Sequence, residues 1–260
     1  MSKSPLSLYA SYYVDTEVDP AKVTNYGGLF PYLDLMLLTD LPNLVNQCLP
    51  ARGGERGWQH AEHTSALLAL NLVGGDCVDD LEKLNGDPGI SLYMGQILRA
   101  VGAEDRRWRK SRRFSRGGER DTPSVTSVRE WLDQFHNAEE DVKRGYGQAF
   151  VPEANGVLVG LREVNREFVT RGFRLYEKNV GSPVTRATLE IDATYMETQK
   201  KDALKCYKRF DSYSGVTVRW AEMGFALWDE FRDGNVPPGH RNLEGLVVSI
   251  SYLNPPPAGG

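Results

Sequence analysis

The chain has 260 residues, of which 40% are hydrophobic and 25% are charged, and its net charge is −4. These fractions are typical of a globular protein, and no run approaches the roughly 20 apolar residues that a membrane-spanning helix needs. The three cysteines lie far apart without a CxxC pair, which argues against a disulfide framework and a zinc site. With no secretory signal evident at the N-terminus, we expect a cytoplasmic protein of bacterial type with no membrane partner.

The first 180 residues read as a polar arm followed by helices. Residues 1–28 are polar and are interrupted by Pro20 and by Gly27-Gly28, which predicts a loose arm. Apolar residues at helical spacing then predict helices over residues 29–38, 41–49, 58–73, 77–84, 88–101, 125–136 and 154–178. Two histidines, His60 and His63, have a spacing that suits a metal on a helix, but no third ligand is evident, so a core or surface role is favoured.

A short basic segment lies between two of these helices and contains Trp108 and Phe114. Its cationic residues are Arg106, Arg107, Arg109, Lys110, Arg112, Arg113, Arg116 and Arg120. Lysine and arginine side chains neutralise phosphates and release counterions, so such a cluster predicts salt-sensitive DNA binding. The alternative is a solvated loop without a partner.

The helix predicted over residues 125–136 is a candidate reader of DNA. Polar residues that would meet base edges lie at its start: Ser124, Thr126, Ser127 and Arg129. Together with the helix over residues 77–84 it would form an arrangement like a helix-turn-helix. A plain helical bundle is the alternative, because the separation between these two helices is long for a standard helix-turn-helix.

Beyond Gly181-Ser182-Pro183 the pattern changes from helix to strand. Strands are predicted over residues 185–198, 206–222 and 225–232, the last two forming a hairpin, and a short helix follows from residue 240. In the first strand Leu189, Ile191, Ala193 and Tyr195 share one face, while Thr188, Glu190, Asp192 and Thr194 share the other. An acidic residue midway along a strand is a common way to hold a metal-binding carboxylate, and a solvated acid is the alternative for Asp192.

Five segments in this order resemble the DDE transposases of bacterial insertion sequences, in the group whose first catalytic aspartate lies in a strand of the form L-D/E-x-D-x-T. No single segment is persuasive, but their order and spacing are. They are GGDCVDDLEKLNGDPG (residues 74–89), TPSVTSVREWLDQFH (122–136), FVPEANGVLVGLREVNREFV (150–169), TLEIDATYMETQKKDALKCYKRF (188–210) and WAEMGFALWDEFRDGNVPPGH (220–240).

The resemblance implies an α+β protein, in which a helical N-terminal region precedes a partial ribonuclease H-like fold made of a three-strand antiparallel meander plus a helix. The implied divisions are a loose arm (1–28), a helical DNA-binding region (29–180), a partial catalytic core (181–250) and a disordered tail (251–260). The implied partner is DNA at the terminal inverted repeats of the transposon. Asp192 would be the first of three carboxylates that bind two Mg²⁺ ions for strand cleavage and transfer.

The sequence departs from the family in two places. Relatives usually have glycine where Arg209 stands, and the sequence after Leu246 no longer resembles them. The second aspartate and the glutamate of the family lie in later segments that this sequence does not contain, so we expect a C-terminally truncated transposase that is inactive alone. A lone carboxylate is expected to bind Mg²⁺ weakly.

Two other interpretations stay open. One is a non-catalytic DNA-binding protein that occupies transposon ends, as a homo-oligomer or as an inhibitory hetero-oligomer with intact transposase. The other is a remnant whose incomplete sheet does not fold stably, since unpaired strand edges favour aggregation.

Overall fold

The computed structural model describes residues 19, 23–51, 57–102, 121–145, 147–180 and 184–253. The chain divides into two compact units, Met1–Phe135 and His136–Gly260. The described residues form helices and an antiparallel sheet, so the α+β prediction is confirmed. None of the helices in these ranges combines the length and the apolar character that crossing a bilayer requires.

The first unit is helical where it is described. Its helices are α1 (Phe30–Leu38), α2 (Leu41–Cys48), α3 (His60–Leu72), α4 (Pro88–Ala100) and α5 (Val125–Leu132). Short 3-10 helices cover Gly27–Leu29, Val78–Lys83 and Asp133–Phe135. The α-helix predicted over residues 77–84 is therefore a 3-10 helix, since its few residues end where Gly86 adopts a φ of +83°.

Asp87 ties the start of α4 to a distant part of the first unit. Its carboxylate accepts hydrogen bonds from the backbone N–H groups of Gly89 (2.8 Å) and Ile90 (3.2 Å), which caps the helix, and from Oγ1 of Thr24 (2.6 Å). Partial burial raises the pKa of Asp87, but these hydrogen bonds outweigh it and hold the pKa below its ordinary value. A side chain at Gly89 would collide with Thr24, since an added Cβ would lie 2.3 Å from Oγ1.

The second unit combines three helices with a four-stranded sheet. The helices are α6 (Ala138–Asp141), α7 (Gly156–Val180) and α8 (Asn242–Leu253), and the strands are β1 (Leu189–Glu197), β2 (Leu204–Lys205), β3 (Asp211–Trp220) and β4 (Phe225–Asp233). The three longer strands match the three predicted ones. The fourth, β2, is too short for its alternation to be read from the sequence.

All strand pairs are antiparallel and β3 is central. It pairs with β1 along its full length on one side and with β4 on the other. Ser212 pairs with both Glu197 of β1 and Leu204 of β2, so β2 lies on the β4 side of β3. The sheet is therefore a β1–β3–β4 meander, extended at one end by β2.

Only one side of β1 is paired in the part of the chain that the structure describes. At its two ends, the carbonyl of Thr188 accepts from the N–H of Ala221, and the N–H of Thr198 donates to the carbonyl of Asp211. These bonds join directly opposed residues, so the even-numbered residues of β1 bond to β3. The odd-numbered residues direct their backbone N–H and C=O groups to the open edge.

Helices α7 and α8 pack on buried side chains of β3 and β4. Val169 and Phe173 of α7 contact Trp220, and Leu246 of α8 packs against a cluster around Trp228. An added Cβ at Gly245 would lie 2.7 Å from the Trp228 ring, so a glycine at this position lets α8 approach the sheet closely. Although the sequence analysis grouped α7 with the DNA-binding region, this helix contributes to the core beneath the sheet.

Several predicted boundaries involve residues outside the described ranges. Most of the arm predicted over residues 1–28 is among them, as are residues 254–260 of the predicted tail. Helix α8 extends to Leu253 and so reaches into the segment predicted as a disordered tail.

Candidate carboxylate and nucleic-acid sites

Asp192 lies near the middle of β1 on the solvent-exposed face of the sheet. The burial of β1 alternates as the sequence predicts, with Asp192 exposed between the half-buried Ile191 and Ala193. Its closest partner is Thr194, whose Oγ1 lies 3.4 Å from the Asp192 carboxylate. The carboxylate is thus held on a regular strand and is open to a ligand.

The other acids near Asp192 do not form a ready-made ligand set. Glu190 lies 4.0 Å from Arg219, and Asp229 is separated from Asp192 by β3, where both residues share Thr217 as a lateral neighbour. Asp233 is buried rather than solvated and accepts a 2.9 Å hydrogen bond from Nη2 of Arg144. Burial raises the pKa of Asp233, and Arg144 opposes that shift.

Mg²⁺ is the cofactor that the transposase resemblance implies. The described residues contain no group of three or more His, Cys, Asp or Glu side chains placed to hold a metal ion. Asp192 with its neighbouring threonines does not amount to an Mg²⁺ site, because this ion is usually held by several carboxylate or phosphate oxygens. We therefore derive no catalytic step for this chain.

The four polar residues at the start of α5 are in different environments. Ser124 caps the helix, accepting a 3.2 Å hydrogen bond from the N–H of Ser127. Arg129 forms a two-pronged ion pair with Asp79, at 3.0 and 2.8 Å. Thr126 is exposed. Of the three side chains that have partners in this structure, only Arg129 is itself exposed.

Ser127 points inward because it belongs to a buried histidine cluster. Its Oγ lies 3.1 Å from Nε2 of His63, whose Nδ1 lies 2.8 Å from the carbonyl of Gln59. The His63 ring stacks on Trp131 with 5.3 Å between centroids, and Nε1 of Trp131 donates to Nδ1 of His60 at 2.8 Å. Both histidines are buried, so their predicted core role is confirmed and their spacing serves packing.

The strongest sequence signal for DNA binding falls outside the described residues. The residues that carry this signal, all outside the described ranges, are Arg106, Arg107, Arg109, Lys110, Arg112, Arg113 and Arg116. Within the described part of the first unit, the basic residues are Lys83, Arg99 and Arg129, and acids outnumber them. Lys83 and Arg129 are paired with Asp80 and Asp79, respectively.

A second basic surface, which the sequence analysis missed, connects β1 to β3. We call residues 200–210 the basic hairpin. Its exposed cations are Lys200, Lys201, Lys205, Lys208 and Arg209. The one acid among them, Asp202, accepts a 2.7 Å hydrogen bond from the hydroxyl of Tyr213, which lowers the pKa of Asp202. The signal in the sequence was the repeated pairing of cations, KK and KR, on either side of β2.

The tip of the basic hairpin is a tight turn with an exposed aromatic ring. The N–H of Arg209 donates to the carbonyl of Cys206 at 2.9 Å, and the N–H of Cys206 donates to the carbonyl of Phe210 at 3.0 Å. Tyr207 is 68% exposed, and the Lys208 ammonium lies 5.7 Å from the centre of its ring. The turn thus presents an aromatic face and a cation together.

Arg209 has a backbone conformation that favours glycine. Its φ is +72°, in the left-handed region, where a side chain costs about 1–2 kcal/mol. The αL position that closes a three-residue hairpin loop is usually occupied by glycine. Within the described ranges the arginine side chain forms no ion pair that would offset this strain.

No protein-family model, no curated protein and no solved structure matches this chain, so the evidence for its function consists of its residues and their arrangement.

Proposed function

We propose that the chain carries the DNA-binding region and the first part of the ribonuclease H-like core of an insertion-sequence transposase. In this proposal the helical first unit and the arginine-rich segment bind the terminal inverted repeats of the transposon. The meander β1–β3–β4 followed by α8 is the start of the catalytic core. Asp192 is the first of its metal-binding carboxylates.

The observation that carries this proposal is the position of Asp192. It lies near the centre of the first strand of an antiparallel meander, with its side chain on the open face and a helix following the third long strand. A strand holds its side chains in fixed directions, so a carboxylate in this position is preorganised for a metal ion shared with other ligands. The resemblance predicts both the acid at this position and the antiparallel meander around it, whereas an unrelated surface acid would have no reason to lie in such a meander.

The charge distribution supports a specific role for the segment from Arg106 to Arg116. Since two of the three basic residues in the described part of the first unit are already paired with acids, this part offers little attraction for phosphate. In this proposal the DNA affinity of the first unit comes mainly from the arginine-rich segment. Binding through it should weaken linearly on a double logarithmic plot as salt is raised.

DNA binding is tested by an electrophoretic shift with duplexes taken from the two ends of the element. We expect preference for terminal-repeat DNA over a scrambled duplex, and loss of the shift when Arg106, Arg107 and Arg109 are changed to Glu. Arg99→Gln is the matched control from the described part of the first unit, an exposed cation on α4 for which no DNA contact is proposed, and it should reduce binding little. Equal binding of both duplexes by the wild-type chain would contradict the proposal.

Catalysis is tested separately with Mg²⁺ or Mn²⁺ on the same DNA. The chain alone should show no strand cleavage, since one carboxylate does not position the two ions that in-line phosphoryl displacement uses. Cleavage that disappears in Asp192→Ala would mean that the chain is an active nuclease by itself. It would overturn the prediction of inactivity while supporting the role of Asp192.

A non-catalytic DNA-binding protein is the second candidate function. It is favoured because the described residues contain no group of three or more His, Cys, Asp or Glu side chains that could hold a metal ion. The two candidates differ in what the intact transposase does in the presence of this chain. An inhibitor should reduce strand transfer by a full-length relative, and Asp192→Ala should inhibit as well as the wild type, because occupation of DNA ends does not use that carboxylate.

A further inference from the structure

We propose that the basic hairpin (residues 200–210) binds single-stranded DNA, with Tyr207 stacking on an unpaired base and Lys208 and Arg209 contacting the flanking phosphates. Nothing in the sequence pattern or the transposase resemblance assigned a ligand to this segment. The choice of DNA as the ligand rests on the proposed function. The position and chemistry of the site rest on the hairpin itself.

The first argument is charge on an otherwise acidic protein. Five cations are exposed on the basic hairpin, whereas the chain as a whole has a net charge of −4. Within the described ranges only Lys205 forms a side-chain ion pair, at 4.0 Å from Asp211; the other four cations, Lys200, Lys201, Lys208 and Arg209, form none. A patch with this little internal neutralisation attracts a polyanion.

The second argument is the exposed aromatic ring at the tip. The Tyr207 ring packs edge-on against the Tyr195 ring, with 5.3 Å between ring centres, and this contact fixes its orientation. Tyr207 is nevertheless 68% exposed to solvent. Lys208 lies over both tyrosine rings, at 5.7 and 5.9 Å from their centres. An aromatic platform with adjacent cations is the arrangement by which proteins bind unpaired bases and their backbone.

The third argument is the strain at Arg209. Its φ of +72° is a conformation that glycine adopts without a steric penalty. An arginine at this position makes the turn less stable than a glycine would, and it makes no ion pair within the described residues that would compensate. Backbone strain of this kind is typical of functional sites, and here it occurs at an exposed arginine two residues after the exposed ring.

Because Arg209 is strained and is also proposed to contact a phosphate, one substitution there tests stability and binding separately. Arg209→Gly should raise the thermal unfolding midpoint of the chain, because it relieves the left-handed strain. The same change should weaken binding to an oligothymidylate and reduce the slope of log affinity against log salt by about 0.7, the contribution of one phosphate contact on single-stranded DNA. A residue with only a structural role would not move these two measurements in opposite directions.

The experiment measures fluorescence anisotropy of a labelled oligothymidylate with the full chain over a salt series. Lys208→Gln should lower the slope as Arg209→Gly does, and Tyr207→Ala should weaken binding about fivefold or more with little change in slope. Lys178→Gln is the matched control, an exposed cation on α7 of the same unit. It should leave affinity and slope unchanged.

The proposal is overturned if the wild-type chain does not bind the oligothymidylate, or if the hairpin variants bind as the wild type does. It is also overturned if Lys178→Gln weakens oligothymidylate binding as much as Lys208→Gln does. A parallel measurement with anionic lipid vesicles gives the last outcome: the proposal is overturned if the hairpin variants lose binding to the vesicles and keep binding to the oligothymidylate. If the hairpin variants bind the oligothymidylate as the wild type does, but charge reversal at Arg106, Arg107 and Arg109 still abolishes binding to duplex ends, the proposed function stays intact.

Discussion

Removal of the Glu230 carboxylate should strongly destabilise the second unit. The side chain of Glu230 is 4% exposed, and its Oε1 accepts a 2.5 Å hydrogen bond from Nε of Arg232. The Arg232 side chain is fully buried, and among the described residues its Nη1 and Nη2 atoms have no hydrogen-bond partner. Oε2 of Glu230 also lies 3.3 Å from Nη1 of Arg241, so Glu230→Ala removes the carboxylate partner of the buried Arg232 and one of the partners of Arg241.

The expected magnitude follows from that geometry. Breaking a buried ion pair by removing one partner costs about 3–5 kcal/mol, because the remaining charge is desolvated and unpaired. A domain of this size has a total stability of roughly 5–15 kcal/mol, so the variant should be close to unfolding. Glu244→Ala is the control from the exposed end of the same network, since Glu244 pairs at 2.7 Å with Arg241, which also contacts Glu230, but the Glu244 side chain is 50% exposed. Its loss should cost less than about 1 kcal/mol.

The assay is urea unfolding followed by hydrogen exchange and mass spectrometry, using peptides from β3 and β4 so that the second unit is followed by itself. A third variant, Glu230→Leu with Arg232→Met, removes both charges and should recover most of the loss. A free energy of unfolding for Glu230→Ala no lower than that for Glu244→Ala would refute the reasoning. So would a double variant as unstable as Glu230→Ala.

Two further predictions concern β1 and its surroundings. Hydrogen bonds from the hydroxyl (2.6 Å) and N–H (2.8 Å) of Thr188 lower the pKa of Glu222 to about 2. The stability that Glu222 contributes is present above its unfolded pKa of about 4.3 and is lost as pH falls through about 2. Glu222→Gln should therefore make the free energy of unfolding depend less on pH over that range. An unchanged pH dependence would contradict this. Thr194→Pro should also be less stable in urea unfolding than Ala193→Pro, by about 1 kcal/mol or more, because only Thr194 directs its N–H to β3; equal losses would contradict the assigned register.

The long elements could be predicted from the sequence because each has one apolar side. The 3.6-residue spacing identified the five α-helices in the described part of the first unit, and alternation in β1 gave the correct faces for Ile191 and Asp192. The strand β2 was missed because two residues carry no period. The basic hairpin was missed for the same reason, since a turn leaves only composition as a signal.

The buried ions were not predictable from hydrophobic pattern. Within β4, Glu230 and Arg232 alternate with Asp229 and Phe231, so the apolar and charged residues do not separate onto two faces. The structure buries the two opposite charges together and leaves Phe231 57% exposed. Ion pairing determined which side chains of β4 are buried, because two ions that neutralise each other can enter the core while neither can alone.

The carboxylate on β1 and the basic hairpin are connected through one rigid element. Asp192 lies five residues before Glu197, the last residue of β1, which is about 17 Å at the rise of a β-strand. The hairpin begins just beyond that end, with Lys200 and Lys201. Lys200 lies 5.8 Å from the centre of the Tyr213 ring, on the face of the sheet that carries Asp192, whereas Tyr207 packs on Tyr195 of the opposite face. The hairpin therefore spans the end of the sheet, and the two proposals share a physical basis in Lys200: a single DNA strand that passes from the tip to this lysine would reach the face on which the carboxylate is fixed.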